Sequence, residues 1–138
     1  MESIRNSAAA PTDLYTNIHP AGDGLRLHLL EWPGAGQVYV LLHGLASNAR
    51  TWGGVGAALA AAGNRVIAVD QRGHGLSDKP DAGYDFASIC ADLHSLLDAL
   101  KLEHPIIVGQ SWGGNVVLEF GARYPGRARG LAFVDGGI

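Results

Sequence analysis

Gly109-Gln110-Ser111-Trp112-Gly113 places a serine between small residues, in the order G-x-S-x-G. A serine hydroxyl is a weak nucleophile until a neighbouring base removes its proton; it can then attack an acyl carbon. The pentapeptide is short, and the chain holds 20 glycines, so its context must support it. That context is favourable. The apolar run Pro105 to Val108 precedes it and a helical pattern from Asn115 follows. This is the strand–turn–helix on which an exposed nucleophile sits. Gly109 and Gly113 allow the backbone to fold back without side-chain collision, so the sequence predicts a strained Ser111 at the junction. The helix N-terminus behind it favours the negative charge that develops during acyl transfer.

The surrounding elements can position such a serine. Leu14 to His19 and the alternating Leu25 to Glu31 read as two strands joined by the turn formers of residues 20–24, and the second reads as half-buried. Val38 to Leu42, Val66 to Val69, Ile106 to Val108 and Leu131 to Val134 are nearly continuous apolar runs, as strands covered on both faces are. Helical spacing falls between them: Trp52, Val55 and Leu59 before Gly63, the stretch Asp85 to Leu100, and Asn115 to Tyr124. An antiparallel hairpin followed by alternating strands and helices argues an α/β fold with a mostly parallel sheet of about six strands. Ligands bind beyond the carboxyl ends of such strands. The segments to inspect are therefore His43-Gly44-Leu45, Asp70 to Pro80, Gly109 to Gly114 and Asp135-Gly136-Gly137.

Three of these segments together resemble the α/β-hydrolase family. Leu41-Leu42-His43-Gly44-Leu45 is similar to its His-Gly segment after the third strand. Asp70-Gln71-Arg72-Gly73-His74-Gly75-Leu76-Ser77 is similar to its D-x-R-G-x-G-x-S loop, and Gly109 to Gly114 to its nucleophile elbow. The resemblance implies Ser111 as nucleophile, with the backbone N–H groups of Leu45 and Trp112 as oxyanion donors. It implies that His43 and Gly44 support the oxyanion loop and that His74 is structural. The family order is nucleophile, acid, histidine, and no histidine follows Ser111 in the sequence. The acid usually follows a seventh strand. Some families, haloalkane dehalogenases among them, place it after the sixth, where Asp135 stands. Those dehalogenases carry aspartate at the elbow where this chain carries serine. Asp135 is thus the alternative acid, beside a role in lining the pocket or capping a loop. His19, His28 and His94 are expected in solvated or packing roles, and His104 lies at the opposite end of the sheet.

Composition sets the remaining expectations. The 138 residues are 47% hydrophobic and 17% charged, with a net charge of −3. That suits a folded domain and gives no electrostatic reason to expect nucleic acid or an anionic membrane. Cys90 is the single cysteine, so no internal disulfide forms; without a signal-like or spanning segment, a cytoplasmic location is expected. Residues 1–12 read as a leader and 13–138 as the N-terminal part of a hydrolase core domain. There is no complete G-x-G-x-x-G, Walker A or H-E-x-x-H string, and neither cofactor nor metal is expected. The resulting expectation is a serine hydrolase acting on an ester or related acyl bond of a small molecule. The alternative is a slow or non-catalytic receptor on the same fold. A companion polypeptide is expected to bring the catalytic histidine and the C-terminal strands, covering the otherwise bare apolar edge at Leu131 to Val134.

Overall fold

The computed structural model describes residues 10–19, 22 and 24–136. Strands β1 (Thr12–Ile18) and β2 (Leu25–Trp32) form the antiparallel hairpin. Strands β3 (Val38–Leu42), β4 (Arg65–Val69), β5 (Ile106–Gln110) and β6 (Gly130–Val134) follow. The sheet order is β1-β2-β4-β3-β5-β6, with β2 antiparallel to β4 and the rest of the pairs from β4 to β6 parallel. β3 therefore sits inside the sheet, flanked by β4 and β5. The loops after all four parallel strands gather at one edge, as the apolar runs lead one to expect.

Period-two alternation splits the strands between two cores. Leu27, Leu29, Val40, Leu42, Ile67, Val69 and Ile107 face helices α2 (Phe86–Ala99) and α3 (Trp112–Arg123). Leu30, Trp32, Leu41, Val66 and Ala68 face a 3-10 turn (Ala49–Trp52) and helix α1 (Gly53–Ala61). Gly56 of α1 lies against the Trp32 ring, where a Cβ would come within 2.5 Å of the indole. α2 begins at its Asp85 cap, whose carboxylate accepts the Ser88 N–H at 3.2 Å, and ends at Ala99. Ile89, Leu93, Leu96 and Leu97 form its buried stripe.

Two expectations need correction. β2 is buried on both faces, because the polar-looking position His28 shares its side with Leu30 and Trp32 beneath the 3-10 turn and α1. α3 starts at Trp112, three residues before Asn115. Its first turn contains Gly113 and Gly114, which read as loop formers; Gly113 here lets the helix approach the sheet. Of the expected turn at 20–24, Pro20, Ala21 and Asp23 lie outside the described residues. The leader reading of 1–12 lies outside them up to Ala9, and β1 already begins at Thr12. β6 is an edge strand, paired only with β5, and Leu131, Phe133 and Val134 remain exposed at 39%, 39% and 45%.

Candidate active site

Ser111 stands between β5 and α3 with φ 54° and ψ −122°. Positive φ is rare for a residue with a Cβ and costs about 1–3 kcal/mol, so neighbouring contacts must enforce it. They are visible. A Cβ on Gly109 would collide with the Gly113 carbonyl. One on Gly113 would lie 2.6 Å from the His43 carbonyl oxygen and would also strike that of Leu42. The Ser111 N–H donates to the Val134 carbonyl at 3.0 Å, and its own carbonyl accepts the Gly114 N–H at 2.8 Å. Gly136 closes the other side, since a Cβ there would sit 2.7 Å from Ser111 Cα. The elbow is wedged between the ends of β3 and β6, and the serine is exposed.

Gly44 brings the loop after β3 against this serine. A Cβ on Gly44 would lie 3.3 Å from Ser111 Cβ and 3.7 Å from its Oγ. Leu45 follows directly, with its side chain 67% exposed. As the first residue of α3, Trp112 has no intrahelical acceptor for its N–H. Neither the Leu45 nor the Trp112 N–H donates to a loop or turn carbonyl among the described residues. Leu45 and Trp112, the residues of the expected oxyanion donors, thus stand next to the Gly44 contact and to the serine in the chain.

Two imidazoles fasten this loop to the one after β4. His43 is fully buried; its Nδ1–H donates to the Gly44 carbonyl at 2.7 Å, and its Nε2 accepts the Gln71 N–H at 3.1 Å. Burial pushes the His43 pKa below its ordinary value, with the like charge of His74 acting the same way, which favours the neutral ring that this geometry requires. The Gln71 side-chain amide donates to the His43 carbonyl at 2.9 Å. His74 mirrors the pattern. Its Nδ1–H donates to the Arg72 carbonyl at 2.9 Å and its Nε2 accepts the Ala46 N–H at 3.1 Å. With both ring nitrogens occupied, neither histidine offers a lone pair to Ser111.

Asp70 anchors the second loop. Its carboxylate accepts the Ala49 N–H at 2.7 Å, the Leu76 N–H at 2.9 Å and His28 Nδ1–H at 2.7 Å. Burial alone would raise its pKa, but these donors outweigh it and hold the group below the usual carboxylate range. His28 Nε2 meets Asp13 at 2.7 Å, so this buried ring spans two carboxylates. His19 Nε2 faces Asp92 at 2.8 Å, and Asp92 also takes two hydrogen bonds from Arg72, each 2.8 Å. The expectation of merely solvated or packing histidines misses these roles, because β-strand alternation says nothing of which carboxylates the fold brings alongside. His94 stacks on Tyr124, and exposed His104 lies before β5, at the far end of the sheet. Asp135 is exposed at φ 55°, next to the Gly136 that abuts the elbow, and meets no histidine among the described residues.

Sequence reasoning gave no role to Gln71, Ala46 or Gly136, although Gln71 and Gly136 lie in segments it marked for inspection. Among the described residues no cluster of histidine, cysteine and carboxylate groups could hold a metal ion.

Against known proteins, the model of the alpha/beta hydrolase fold family matches residues 38–137. The chain belongs to the α/β-hydrolase family. It is 37% identical over 129 residues to an uncharacterized protein of Mycobacterium tuberculosis, covering 94% of this chain and 36% of that protein. With the non-heme chloroperoxidase of Streptomyces lividans it shares 38% identity over 115 residues, covering 82% of this chain and 42% of the relative. The crystal structure of epoxide hydrolase A from Mycobacterium thermoresistibile superposes with a TM-score of 0.81 at 35% identity, covering 89% of this chain and 38% of that one. The chain therefore spans well under half the length of these α/β hydrolases, and their names cover more than one chemistry.

Proposed function

We propose that Ser111 is the nucleophile of a hydrolase that cleaves an ester or related acyl bond of a small molecule through an acyl-enzyme. The observation that supports this reading is the strained elbow, which holds Ser111 exposed against the Gly44 turn. Chemistry separates this reading from epoxide opening. A serine that opened an epoxide would form an ether, with no carbonyl for water to attack, and turnover would stop. On an acyl carbon it forms an ester, which water hydrolyses. The Leu45 and Trp112 N–H groups stabilise the tetrahedral oxyanion.

The general base comes from outside the described residues. His28, His43 and His74 have both ring nitrogens engaged, and His104 lies at the other end of the sheet. Further polypeptide, continuous with this chain or a companion to it, supplies the histidine and covers β6. Asp135 is the local alternative for the acid, since it lies at the active edge. The Cys90 thiol, pushed up to about 11 by burial, takes no part. Among the described residues no helix is long and apolar enough to cross a membrane, and the lone buried thiol suits a cytoplasmic setting.

The test is a serine-directed fluorophosphonate on the full-length protein. Labelling at Ser111, lost in Ser111→Ala, is the expected result. Labelling that persists in that variant moves the nucleophile elsewhere, and binding of acyl compounds without turnover favours the receptor alternative.

A further inference from the structure

The turn that carries the Leu45 N–H holds an unexpected strain. Residues 44–47 close through the Ser47 N–H on the Gly44 carbonyl at 3.2 Å, and Ala46, the third residue, has φ 62°. Turns with positive φ at that position favour glycine or asparagine there, and alanine is disfavoured. Turning over the Leu45–Ala46 peptide would relieve Ala46 and swing the Leu45 carbonyl to the other face of the turn, loosening the turn on which the preceding peptide, with the Leu45 N–H, is held. One group opposes that rotation: His74 Nε2, which accepts the Ala46 N–H at 3.1 Å. Its own orientation is fixed by the Nδ1–H bond to Arg72. The same ring lies 4.7 Å from the His43 ring and stacks at 6.0 Å on Trp112, the residue bearing the second donor.

We propose that His74 is a positioning residue that sets the oxyanion hole by locking the Leu45–Ala46 peptide while bracing Trp112. The role rests on the acyl-transfer reading above. His74 touches no reacting atom; it acts through the two backbone donors. The rotation it prevents is driven by the strain at Ala46, so the two residues are coupled: a glycine at 46 lowers the need for the histidine.

The test uses the full-length protein with p-nitrophenyl acetate. In His74→Gln the amide oxygen falls near the place of Nε2 and still accepts the Ala46 N–H. In His74→Asn the shorter side chain reaches only the Arg72 carbonyl. The Asn variant is expected to lose kcat by about 10- to 100-fold with KM within about twofold, as for a displaced transition-state donor. The Gln variant stays within about threefold of wild type, and Ala46→Gly restores part of the loss in the Asn background. Equal kcat in the Asn and Gln variants, while wild-type Ser111 is still acylated, overturns this role alone. Absence of any acyl group on wild-type Ser111 overturns the acyl-transfer reading and this role together.

Discussion

Ser111 and the histidines around it divide the site between backbone strain and hydrogen bonding. The serine keeps φ 54° because glycines 109, 113 and 136 let three backbones press on it. Glycine adopts that conformation without penalty, so Ser111→Gly should raise unfolding free energy by about 1 kcal/mol, whereas Ser111→Ala should leave it nearly unchanged. Chemical denaturation of both variants checks this, and a less stable glycine variant would deny the strain. His43 carries a pH consequence. Its folded-state pKa lies below its ordinary value of 6.5, so between the two values the unfolded chain binds the proton and the folded one resists it. Stability from this group is intact above about pH 6.5 and is lost as pH falls towards the folded pKa. Asp70, also depressed, adds a similar loss at lower pH, below the ordinary 3.8. Denaturation at pH 7.5 and 5.5 should show a fall that His43→Gln reduces; an unchanged slope would place the proton elsewhere. The strained strand–helix junction at Ser111 was readable from its pentapeptide. The hydrogen bonds that engage Nε2 of His43 and of His74 were not, because each crosses between segments 28 residues apart.

The elements differ in how openly their sequences declare them. Doubly covered strands such as Val38–Leu42 announce themselves as apolar runs, and α2 as a stripe with an Asp85 cap. β2 and the start of α3 were hidden, the first because His28 looks solvent-facing until Asp13 and Asp70 arrive, the second because Trp112-Gly113-Gly114 resembles a turn. Close approach explains that glycine content, and it separates two substitutions. Gly113→Ala pushes a methyl into the Leu42 and His43 carbonyls, so it should displace α3 from β3 and slow fluorophosphonate labelling by at least about tenfold. Gly56→Ala presses on the buried Trp32 ring far from the elbow, and should lower stability by about 1–3 kcal/mol while leaving the labelling rate of the folded protein unchanged. Labelling rates and melting curves for the pair would expose a reversal of these effects, which would contradict the assigned packing.

For the whole molecule, the committed histidines and the exposed edge strand motivate the proposed division of labour. In the proposed reading these residues hold the nucleophile and the oxyanion donors, while the base and a covering strand come from further polypeptide. The exposed apolar side chains of β6 are suited to such pairing and hazardous without it. The 138-residue segment expressed alone should therefore bind a hydrophobic dye and lack esterase turnover, whereas the full-length protein should show turnover and little dye binding. A turning-over segment that loses activity with one of its own histidines would refute the division. The central claim, a covalent acyl group on Ser111, is open to one direct measurement. Full-length protein mixed with p-nitrophenyl acetate, quenched in acid within the burst and digested, should yield the Ser111 peptide with the added mass of one acetyl group. Turnover with that peptide unmodified throughout, or with the acetyl group on another side chain whose removal ends activity, would contradict the account.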